Sequence, residues 1–343
     1  MADTQYLDTA ASRARREARA AERRRRGRRR LLFLAASLAA ALLLGALVAS
    51  AGDGGATRDP SRIGRADRGG ITQRPPSQEA LGPLPAGSGL SGGTDAFTVP
   101  FKKPPRAGIL VNADTGDVLW RRNPDRSLPI ASLTKMMTAI VTTETLQPDD
   151  RAKITPAVLH YTGSGVGVLP RGKRVKVEPL LYGLLLPSGN DAARALAFRA
   201  AGSISGMVRK MNTKAAELGL RCTRFASVEG LSPGNRSCPI DLVALAREVL
   251  RRRRIARIVR SPRKILPFPI KGGKLYLYNH NPLLRMHYRG TLGIKTGFTD
   301  EAGRCLVAAV RRRGVTLVAV VLHSVDPGRQ AKQLLDRGFR TVR

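Results

Sequence analysis

The chain has 343 residues, room for roughly two domains, and its 42% hydrophobic content can fill a core. Its 60 Lys and Arg residues against 25 Asp and Glu give a net charge of +35, of which residues 101–343 carry +28. Such a basic region attracts nucleic acid, anionic lipid headgroups or acidic wall polymers, unless the arginines only reflect genome composition. No nucleic acid is expected as a partner, because zinc-finger and RNA-binding signatures are missing and aromatic residues are only 4% of the chain.

The N-terminal region predicts a membrane anchor. Residues 1–30 form a basic cytoplasmic tail that ends in RRRRGRRR, and residues 31–50 are uncharged and apolar, the length that a helix needs to cross a bilayer. The positive-inside rule places everything after residue 50 outside the cell, so we expect a single-pass cell-membrane protein. The alternative is a signal peptide cleaved at the A-x-A-like pair Ala49 and Ala51, which would release a secreted protein.

Residues 51–100 are rich in Gly, Pro and Ser and predict a disordered linker that holds a folded domain, residues 101–343, away from the membrane. Within that domain, AGILVNADTGDVLWRR predicts a β-hairpin. Helices are predicted from Ser132 to about Leu146, on both sides of the break at PSGN, and over SGMVRKMNTKAAELGL and PIDLVALAREVLRRRRIARIV.

After residue 290 three strand-like runs and a short final helix follow. Strands at both ends with helices between them predict an α/β (α+β) fold, in which the two ends of the domain form one antiparallel sheet. This sheet would pack against a central helical insert.

The segment PIASLTKMMTA, residues 129–139, places Ser132 and Lys135 three positions apart in an otherwise apolar stretch. On a helix the two side chains lie on one face and can touch. Taken alone, the pair is explained equally well by a helix-capping serine and a lysine that reaches solvent.

Two further motifs also have ordinary explanations when each is taken alone. Ser188 and Asn190 in PSGND suit a helix cap, and Lys295, Thr296 and Gly297 in GIKTGFT suit an edge strand with a glycine bulge. Together, in the order Ser-x-x-Lys, Ser-x-Asn, Lys-Thr-Gly, the motifs are the set found in serine β-lactamases and penicillin-binding proteins.

From these motifs and their surroundings (LPIASLTKMMTA, YGLLLPSGNDAARALA, GTLGIKTGFTDEAGRCLVAA), residues 105–340 resemble the D-alanyl-D-alanine carboxypeptidases of peptidase family S11, the low-molecular-mass penicillin-binding proteins. The resemblance implies a DD-peptidase/β-lactamase-like fold with a five-stranded antiparallel sheet, flanking helices and a central helical subdomain. It also implies that the protein removes the terminal D-alanine from peptidoglycan stem peptides through an acyl-enzyme, and that β-lactam antibiotics inhibit it covalently.

Chemical need then assigns roles to the motif residues. A serine hydroxyl needs a neighbouring base, and Lys135 lies one helical turn from the nucleophile, Ser132. Lys135 must be neutral when it acts, and both burial and a second cation, Lys295, would lower its pKa. Ser188 is expected to pass a proton to the departing D-alanine nitrogen, and Asn190 to hold the lysine and the substrate amide.

The remaining roles concern substrate binding. Lys295 and Thr296 are expected to bind the terminal carboxylate, and Gly297 to let the substrate backbone approach the strand. By resemblance, the backbone N–H groups of the nucleophile and of Phe298 hold the oxyanion, and Arg329 assists carboxylate recognition.

We expect no cofactor and no metal, because His160, His280, His287 and His323 form no metal-binding pattern. The three cysteines have different expectations. Cys222 and Cys238 flank a loop and form either a disulfide or two free thiols, and Cys305 on an apolar strand reads as a core residue.

Three alternatives remain open at this point. A β-lactamase shares the scaffold, but Glu229 in VEGLSPGN does not reproduce its deacylating glutamate, and Ser-Gly-Asn replaces Ser-Asp-Asn. A D,D-endopeptidase would cleave cross-links with the same residues. A non-catalytic basic wall-binding module would use only the surface charge. Many members of the resembled family carry a second, β-rich domain and a C-terminal anchoring helix, whereas this chain stops at Arg343, so we expect the N-terminal segment to provide the anchor.

Overall fold

The structure is a computed structural model that describes residues 94–342. The predicted tail, membrane segment and nearly all of the predicted linker lie outside the described residues. Within residues 94–342, no helix combines the length and the apolar character that crossing a bilayer requires.

Eleven strands are present in the described part of the chain. They are β1 (Ala107–Asn112), β2 (Val118–Arg122), β3 (Leu128–Pro129), β4 (Arg151–Lys153), β5 (Arg174–Lys176), β6 (Arg236–Ser237), β7 (Arg263–Pro267), β8 (Lys274–Tyr278), β9 (Thr291–Thr299), β10 (Gly303–Arg312) and β11 (Val315–Ser324).

Nine α-helices and one 3₁₀ turn (Ala131–Thr134) lie in the same residues. The helices are α1 (Lys135–Thr145), α2 (Pro156–Leu159), α3 (Val177–Leu185), α4 (Asn190–Ala201), α5 (Ile204–Glu217), α6 (Pro239–Arg251), α7 (Arg253–Val259), α8 (Pro282–Arg285) and α9 (Pro327–Thr341).

The main sheet has five antiparallel strands in the order β2-β1-β11-β10-β9. The first two strands come from the beginning of the domain and the other three from its end, with α1 to α8 between them in sequence. This confirms the predicted α+β architecture, and it leaves β9 at an edge of the sheet, where one side of the strand has no sheet neighbour.

The sheet separates two hydrophobic layers, and alternation along β11 shows how. Val318, Val320 and Leu322 belong to the large core beneath the central helices, whereas Leu317, Ala319 and Val321 belong to a smaller core beneath α9. Successive side chains of a strand point to opposite faces, and here both faces are covered. A continuous apolar run of this kind is expected for a strand that is buried on both sides.

Local sequence signals begin several helices. The Asp326 side chain caps α9 by accepting from Arg329 N at 3.0 Å, and Ser203 caps α5 in the same way by accepting from Gly206 N. Proline occupies the first helical position of α6 and α9, where its fixed φ suits the helix and its missing N–H costs nothing.

The packed region begins before residue 101, the predicted start of the domain. Ala96 N donates to Leu119 O at 3.0 Å, and Asp95 accepts from Arg121 Nε at 3.0 Å. Phe97 and Val99 pack against the smaller core. The apolar residues in this short stretch attach it to the sheet.

One predicted helix is two helices. The segment 239–259 leaves helical backbone at Arg252, which has φ −82° and ψ 96°. The side chain of Arg252 pairs with Glu144 and Glu248, and that of Arg254 donates to Glu178 Oε2 at 2.7 Å. Two of these glutamates, Glu144 and Glu178, lie on other helices, α1 and α3. Their contacts with the arginines favour a break at Arg252, which the local helical periodicity does not indicate. The β7–β8 hairpin was also not predicted from the sequence.

Cys222 and Cys238 form a disulfide with a Cα–Cα separation of 5.6 Å, which resolves the alternative left open by the sequence. The bond closes the segment between the end of α5 and the start of α6. Cys305, 1% exposed, is a core residue as predicted.

We expect loss of this disulfide to lower the free energy of unfolding by about 3 kcal/mol, because a cross-link over 16 residues restricts the unfolded chain. Urea unfolding of wild type and of the Cys222→Ala/Cys238→Ala double variant measures the difference. Reductant should destabilise wild type alone. A wild-type midpoint that does not change on reduction would contradict the prediction.

Candidate active site

Ser132 lies in the 3₁₀ turn before α1, and neighbouring backbone packs tightly against that turn. A Cβ atom on Gly230 would collide with the Ala131 carbonyl oxygen, and one on Gly297 would lie 2.9 Å from the Ile130 carbonyl oxygen. Ala131 itself has φ 47°, a strained left-handed conformation for a residue other than glycine. The serine is therefore held by close backbone contacts on both sides.

Lys135 is fully buried, and its amine contacts three oxygen atoms. Nζ donates to Ser132 Oγ at 2.8 Å, to Asn190 Oδ1 at 2.8 Å and to the Glu229 main-chain oxygen at 2.7 Å. Ser132 Oγ also donates to the Glu229 carbonyl at 3.4 Å. The predicted contact between Ser132 and Lys135 is present, and the Asn190 side chain and the Glu229 main chain accept further hydrogen bonds from the same amine.

The environment holds the pKa of Lys135 well below its usual range. Burial is the largest cause, since it disfavours the ammonium form, and the nearby cation Lys295 lowers the pKa further. Glu229 and Asp191 act in the opposite direction. Burial likewise lowers the pKa of Lys295, to about 7. Both predicted causes of a lowered Lys135 pKa, burial and the cation Lys295, are thus found in the structure.

The second motif occupies the break between α3 and α4. Ser188 has φ 66° and is 5% exposed, and its hydroxyl has no hydrogen-bond partner within residues 94–342. Asn190 Nδ2 donates to the Thr162 carbonyl at 2.6 Å, which directs Oδ1 of the same amide to Lys135. A strained residue with an unpaired buried hydroxyl is the kind of exception that occurs at functional sites.

Asp191, the next residue, fixes the loop that borders this motif. Its carboxylate accepts from the backbone N–H groups of Val166 at 2.8 Å and Gly167 at 3.0 Å. The residue is fully buried. Asp191 was not singled out from the sequence, although it belongs to the quoted motif PSGND.

The third motif lies on β9. Thr296 pairs with Leu306 of β10, and the Lys295 amine, 2% exposed, donates to the Thr296 carbonyl at 3.0 Å. A Cβ atom on Gly297 would lie 3.1 Å from Ser132 N. The sequence assigned Gly297 to substrate approach. The structure adds a second reason for glycine, which is the contact between β9 and the 3₁₀ turn that carries Ser132.

Phe298 and Arg329 lie at the exposed side of the site. The Phe298 ring is 60% exposed, and the guanidinium of Arg304 on β10 lies 5.9 Å from its centre. The Arg329 side chain is 80% exposed and lies 3.9 Å from Asp326. The described contacts of Arg329 do not join it to the three motifs, so its assignment remains a prediction.

One group of potential metal ligands occurs in the described residues, namely Cys222, Cys238 and Asp241. Both sulfur atoms are bonded to each other, and the Asp241 carboxylate accepts from Cys222 N and Thr223 Oγ1 at 2.7 Å. These groups have structural partners and do not suit a metal.

The main contact that sequence reasoning missed is the Glu229 carbonyl. Main-chain acceptors carry no residue signature, so no local pattern identifies one. The nearest signal was EGL, residues 229–231. Its glycine, Gly230, lets this segment approach the 3₁₀ turn that carries Ser132.

Comparison with known proteins gives a consistent result. The profile of the D-alanyl-D-alanine carboxypeptidase family, peptidase S11, matches residues 100–325. D-alanyl-D-alanine carboxypeptidase DacF of Bacillus subtilis is 33% identical over 243 residues, which are 68% of this chain and 62% of that protein. A D-alanyl-D-alanine endopeptidase of Pseudomonas aeruginosa is 33% identical over 66% of this chain and 77% of its own length.

A solved structure agrees with these relatives. The crystal structure of the Streptomyces K15 DD-transpeptidase superimposes with a TM-score of 0.66 at 33% identity, covering 71% of this chain and 100% of that one. The matched part of this chain spans less than two thirds of the B. subtilis relative. The matched family, its three motifs and the shared fold coincide on the same residues, and the chain belongs to the D-alanyl-D-alanine carboxypeptidase family of serine peptidases.

Proposed function

We propose that the protein is a serine D,D-carboxypeptidase that removes the terminal D-alanine from peptidoglycan stem peptides through an acyl-enzyme on Ser132. The observation that carries the proposal is the 2.8 Å contact between Ser132 Oγ and the buried Lys135 amine, whose pKa is lowered by burial and by Lys295. Family membership supports the substrate class.

Nζ donates to all three oxygens in the structure, and a neutral amine can keep two of these hydrogen bonds while the third, to Ser132, reverses its direction. Such an amine has two N–H donors, which match the Asn190 Oδ1 and Glu229 carbonyl acceptors, and one lone pair, to which the Ser132 hydroxyl can donate. As Ser132 Oγ attacks the D-alanyl carbonyl, its proton passes to Lys135. The amine is therefore oriented by two fixed acceptors and needs no rearrangement.

The negative charge that develops on the oxygen of the attacked carbonyl requires hydrogen-bond donors. The backbone N–H groups of Ser132 and Phe298 are assigned to the oxyanion, because Gly297 keeps the two segments in contact. The free edge of β9 offers backbone groups to an extended peptide, and Lys295 and Thr296 of that strand are assigned to the terminal carboxylate. Arg329 is assigned a supporting role in the same recognition.

Departure of D-alanine requires a proton on its nitrogen. The Ser188 hydroxyl is buried and has no hydrogen-bond partner in the described part of the chain, and it is assigned to carry a proton from protonated Lys135 to that nitrogen. Water then attacks the acyl carbonyl and releases the shortened peptide, and Lys135 again accepts the proton. No metal or cofactor takes part in this sequence.

A D,D-endopeptidase is the second candidate, favoured by the P. aeruginosa relative of that name. A β-lactamase is less well supported. Glu229 contacts Lys135 through its main-chain oxygen, while its carboxylate lies 3.9 Å from Arg194. The segment VEGLSPGN and the motif Ser-Gly-Asn do not reproduce the β-lactamase pattern, which favours a peptidase.

Incubation of the full-length chain with purified muropeptides distinguishes these candidates. Mass spectrometry should show loss of one D-alanine from uncross-linked pentapeptides, and Ser132→Ala should reduce the rate by roughly 10⁴-fold or more. The exposed Ser205→Ala change is the matched control and should retain full activity. Faster cleavage of cross-linked dimers would replace the proposal by the endopeptidase, and release at the wild-type rate by Ser132→Ala would exclude the nucleophile assignment.

The pH dependence of labelling by a fluorescent penicillin tests the lysine pair. The wild-type rate should rise as Lys135 loses its proton and fall near pH 7 as Lys295 loses the proton that binds carboxylate. In Lys295→Gln the missing cation raises the pKa of Lys135, so the acid limb should move to higher pH and labelling should fall roughly 10²-fold to 10³-fold.

Lys274→Gln, which removes an exposed cation, is the control and should leave the profile unchanged. An acid limb that stays in place in Lys295→Gln would contradict the coupling between the two lysines. The wild-type adduct should persist in this assay, whereas rapid loss of the label would indicate a β-lactamase.

We further propose that residues 31–50 anchor the protein in the cell membrane with its catalytic domain outside, and that its basic surface binds anionic wall polymers. The apolar run, the preceding arginines and the charge of +28 on residues 101–343 support this. Carbonate-washed membranes should retain the full-length chain and should lose it when residues 31–50 are deleted. Recovery of a chain shortened by cleavage near Ala49 and Ala51 in the soluble fraction would instead indicate a signal peptide, and recovery of the uncleaved chain there would contradict the anchor.

A further inference from the structure

An arginine-rich groove lies at the end of the main sheet remote from the three motifs. It has a volume of about 980 Å³ and forms where β9 begins, where β10 turns into β11 and where α9 ends. Its cationic lining consists of Arg289, Arg311, Arg312, Arg313 and Arg340. The peptidase reaction described above does not use any of these residues.

Arg312 is held in a fixed position within the groove. Its guanidinium lies 4.3 Å from the centre of the Tyr288 ring and 4.9 Å from that of Phe339. Nε donates to the Arg289 carbonyl at 3.0 Å. Contact with two rings and with a carbonyl orients the guanidinium before any ligand arrives, which reduces the entropy lost on binding.

The positive charge of the groove is not balanced within the described residues. Asp336 is the acidic residue of its lining, and its two oxygens already accept from Tyr288 Oη and Lys332 Nζ, both at 2.6 Å. The ion pairs of residues 94–342 include none to the other four arginines, Arg289, Arg311, Arg313 and Arg340. The groove thus carries five arginines and one aspartate in its lining and attracts anions.

The backbone at the β10–β11 turn provides a further observation. Arg313 has φ 48° and Gly314 has φ 84°, so both central residues of this two-residue turn are left-handed. Asn, Asp or Gly would adopt the first of these conformations at lower cost. An arginine there accepts backbone strain and continues the run of three cations along the groove.

We propose that this groove binds a linear phosphodiester polyanion, namely a glycerol-phosphate polymer of the cell wall, an inference that rests on the proposed binding of anionic wall polymers and assigns it to this site. Arginine suits this ligand because its planar fork can bind two phosphate oxygens at once. A series of arginines along a concave surface matches the repeated charge of a chain.

The surroundings favour a polymer in preference to a bilayer of anionic lipid. The groove is concave, and none of the eight large exposed hydrophobic side chains of residues 94–342 belongs to its lining. A surface that inserts into headgroups normally presents apolar side chains beside its cations. The groove offers charge and stacked rings without such an anchor.

The position of the groove leaves the catalytic cleft free. Leu306 of β10 pairs with Thr296, and Arg311 lies five residues further along the same strand, about 17 Å away at the usual rise of 3.4 Å per residue. A polymer in the groove can therefore hold the protein on the wall while the cleft remains open to stem peptides.

Binding of a fluorescein-labelled glycerol-phosphate oligomer to the full-length chain in non-ionic detergent tests the proposal by anisotropy at several salt concentrations. The groove variant removes three exposed cations of the groove by the substitutions Arg289→Gln, Arg313→Gln and Arg340→Gln. The control variant loses the same amount of positive charge from dispersed exposed positions, by the substitutions Lys210→Gln, Arg253→Gln and Lys271→Gln. Penicillin labelling should stay at the wild-type rate in both variants and reports correct folding.

The groove variant should bind roughly tenfold more weakly and lose about 2 units of the slope of log Kd against log salt, since each released contact contributes about 0.7. The control variant should change far less. Equal losses in both variants, or none in either, would overturn the proposal. Displacement of the oligomer by monomeric short-chain phosphatidylglycerol at equal phosphate concentration would assign the groove to a lipid headgroup and also overturn it. The readout is binding, so its failure is distinct from failure of the peptidase assignment.

Discussion

The Lys135 amine lies inside the protein within hydrogen-bond distance of three oxygens, and the rest of the cleft is arranged around this contact. Burial of an ammonium costs on the order of several kcal/mol unless an opposite charge compensates it. Neutral oxygens, a hydroxyl, an amide and a carbonyl, make all three contacts here. No carboxylate within residues 94–342 forms an ion pair with this amine, and burial and Lys295 lower its pKa more than Glu229 and Asp191 raise it, so the surroundings favour the base form of the lysine.

This arrangement requires parts of the chain that are far apart in sequence to meet without gaps. The 3₁₀ turn and α1 supply Ser132 and Lys135, the first residue of α4 is Asn190, and the loop at Glu229 supplies the third acceptor. The five-stranded sheet brings β9 against the same turn, because its strands come from both ends of the domain. Glycines at the two contact points remove the side chains that would keep these backbones apart.

The part of the site that depends on sequence spacing could be predicted. Ser132 and Lys135 are three residues apart, so any helix there brings them together, and the sequence PSGN predicts the break between two helices where Ser188 and Asn190 lie. The antiparallel sheet followed from apolar runs at both ends of the domain. These features depend on local periodicity, which the sequence displays directly.

Contacts that depend on tertiary structure could not be predicted in this way. The Glu229 carbonyl is a main-chain group, and the break at Arg252 depends partly on an ion pair with the distant Glu144. Such contacts need the position of a partner that periodicity does not specify. The hairpin formed by β7 and β8 differs from them, because exposed and less exposed side chains alternate along both strands, so its signal was local and was overlooked.

The two basic regions of the domain use different cations, and the chemistry of each side chain explains the difference. In the cleft, a proton must leave the base, and lysine is a cation whose pKa falls readily on burial. In the groove, charge must persist at every physiological pH, and arginine keeps its proton. A guanidinium could not act as the base beside Ser132, and a lysine between Tyr288 and Phe339 would lose the planar stacking that fixes Arg312. Exchange of the two residue types would therefore impair both sites.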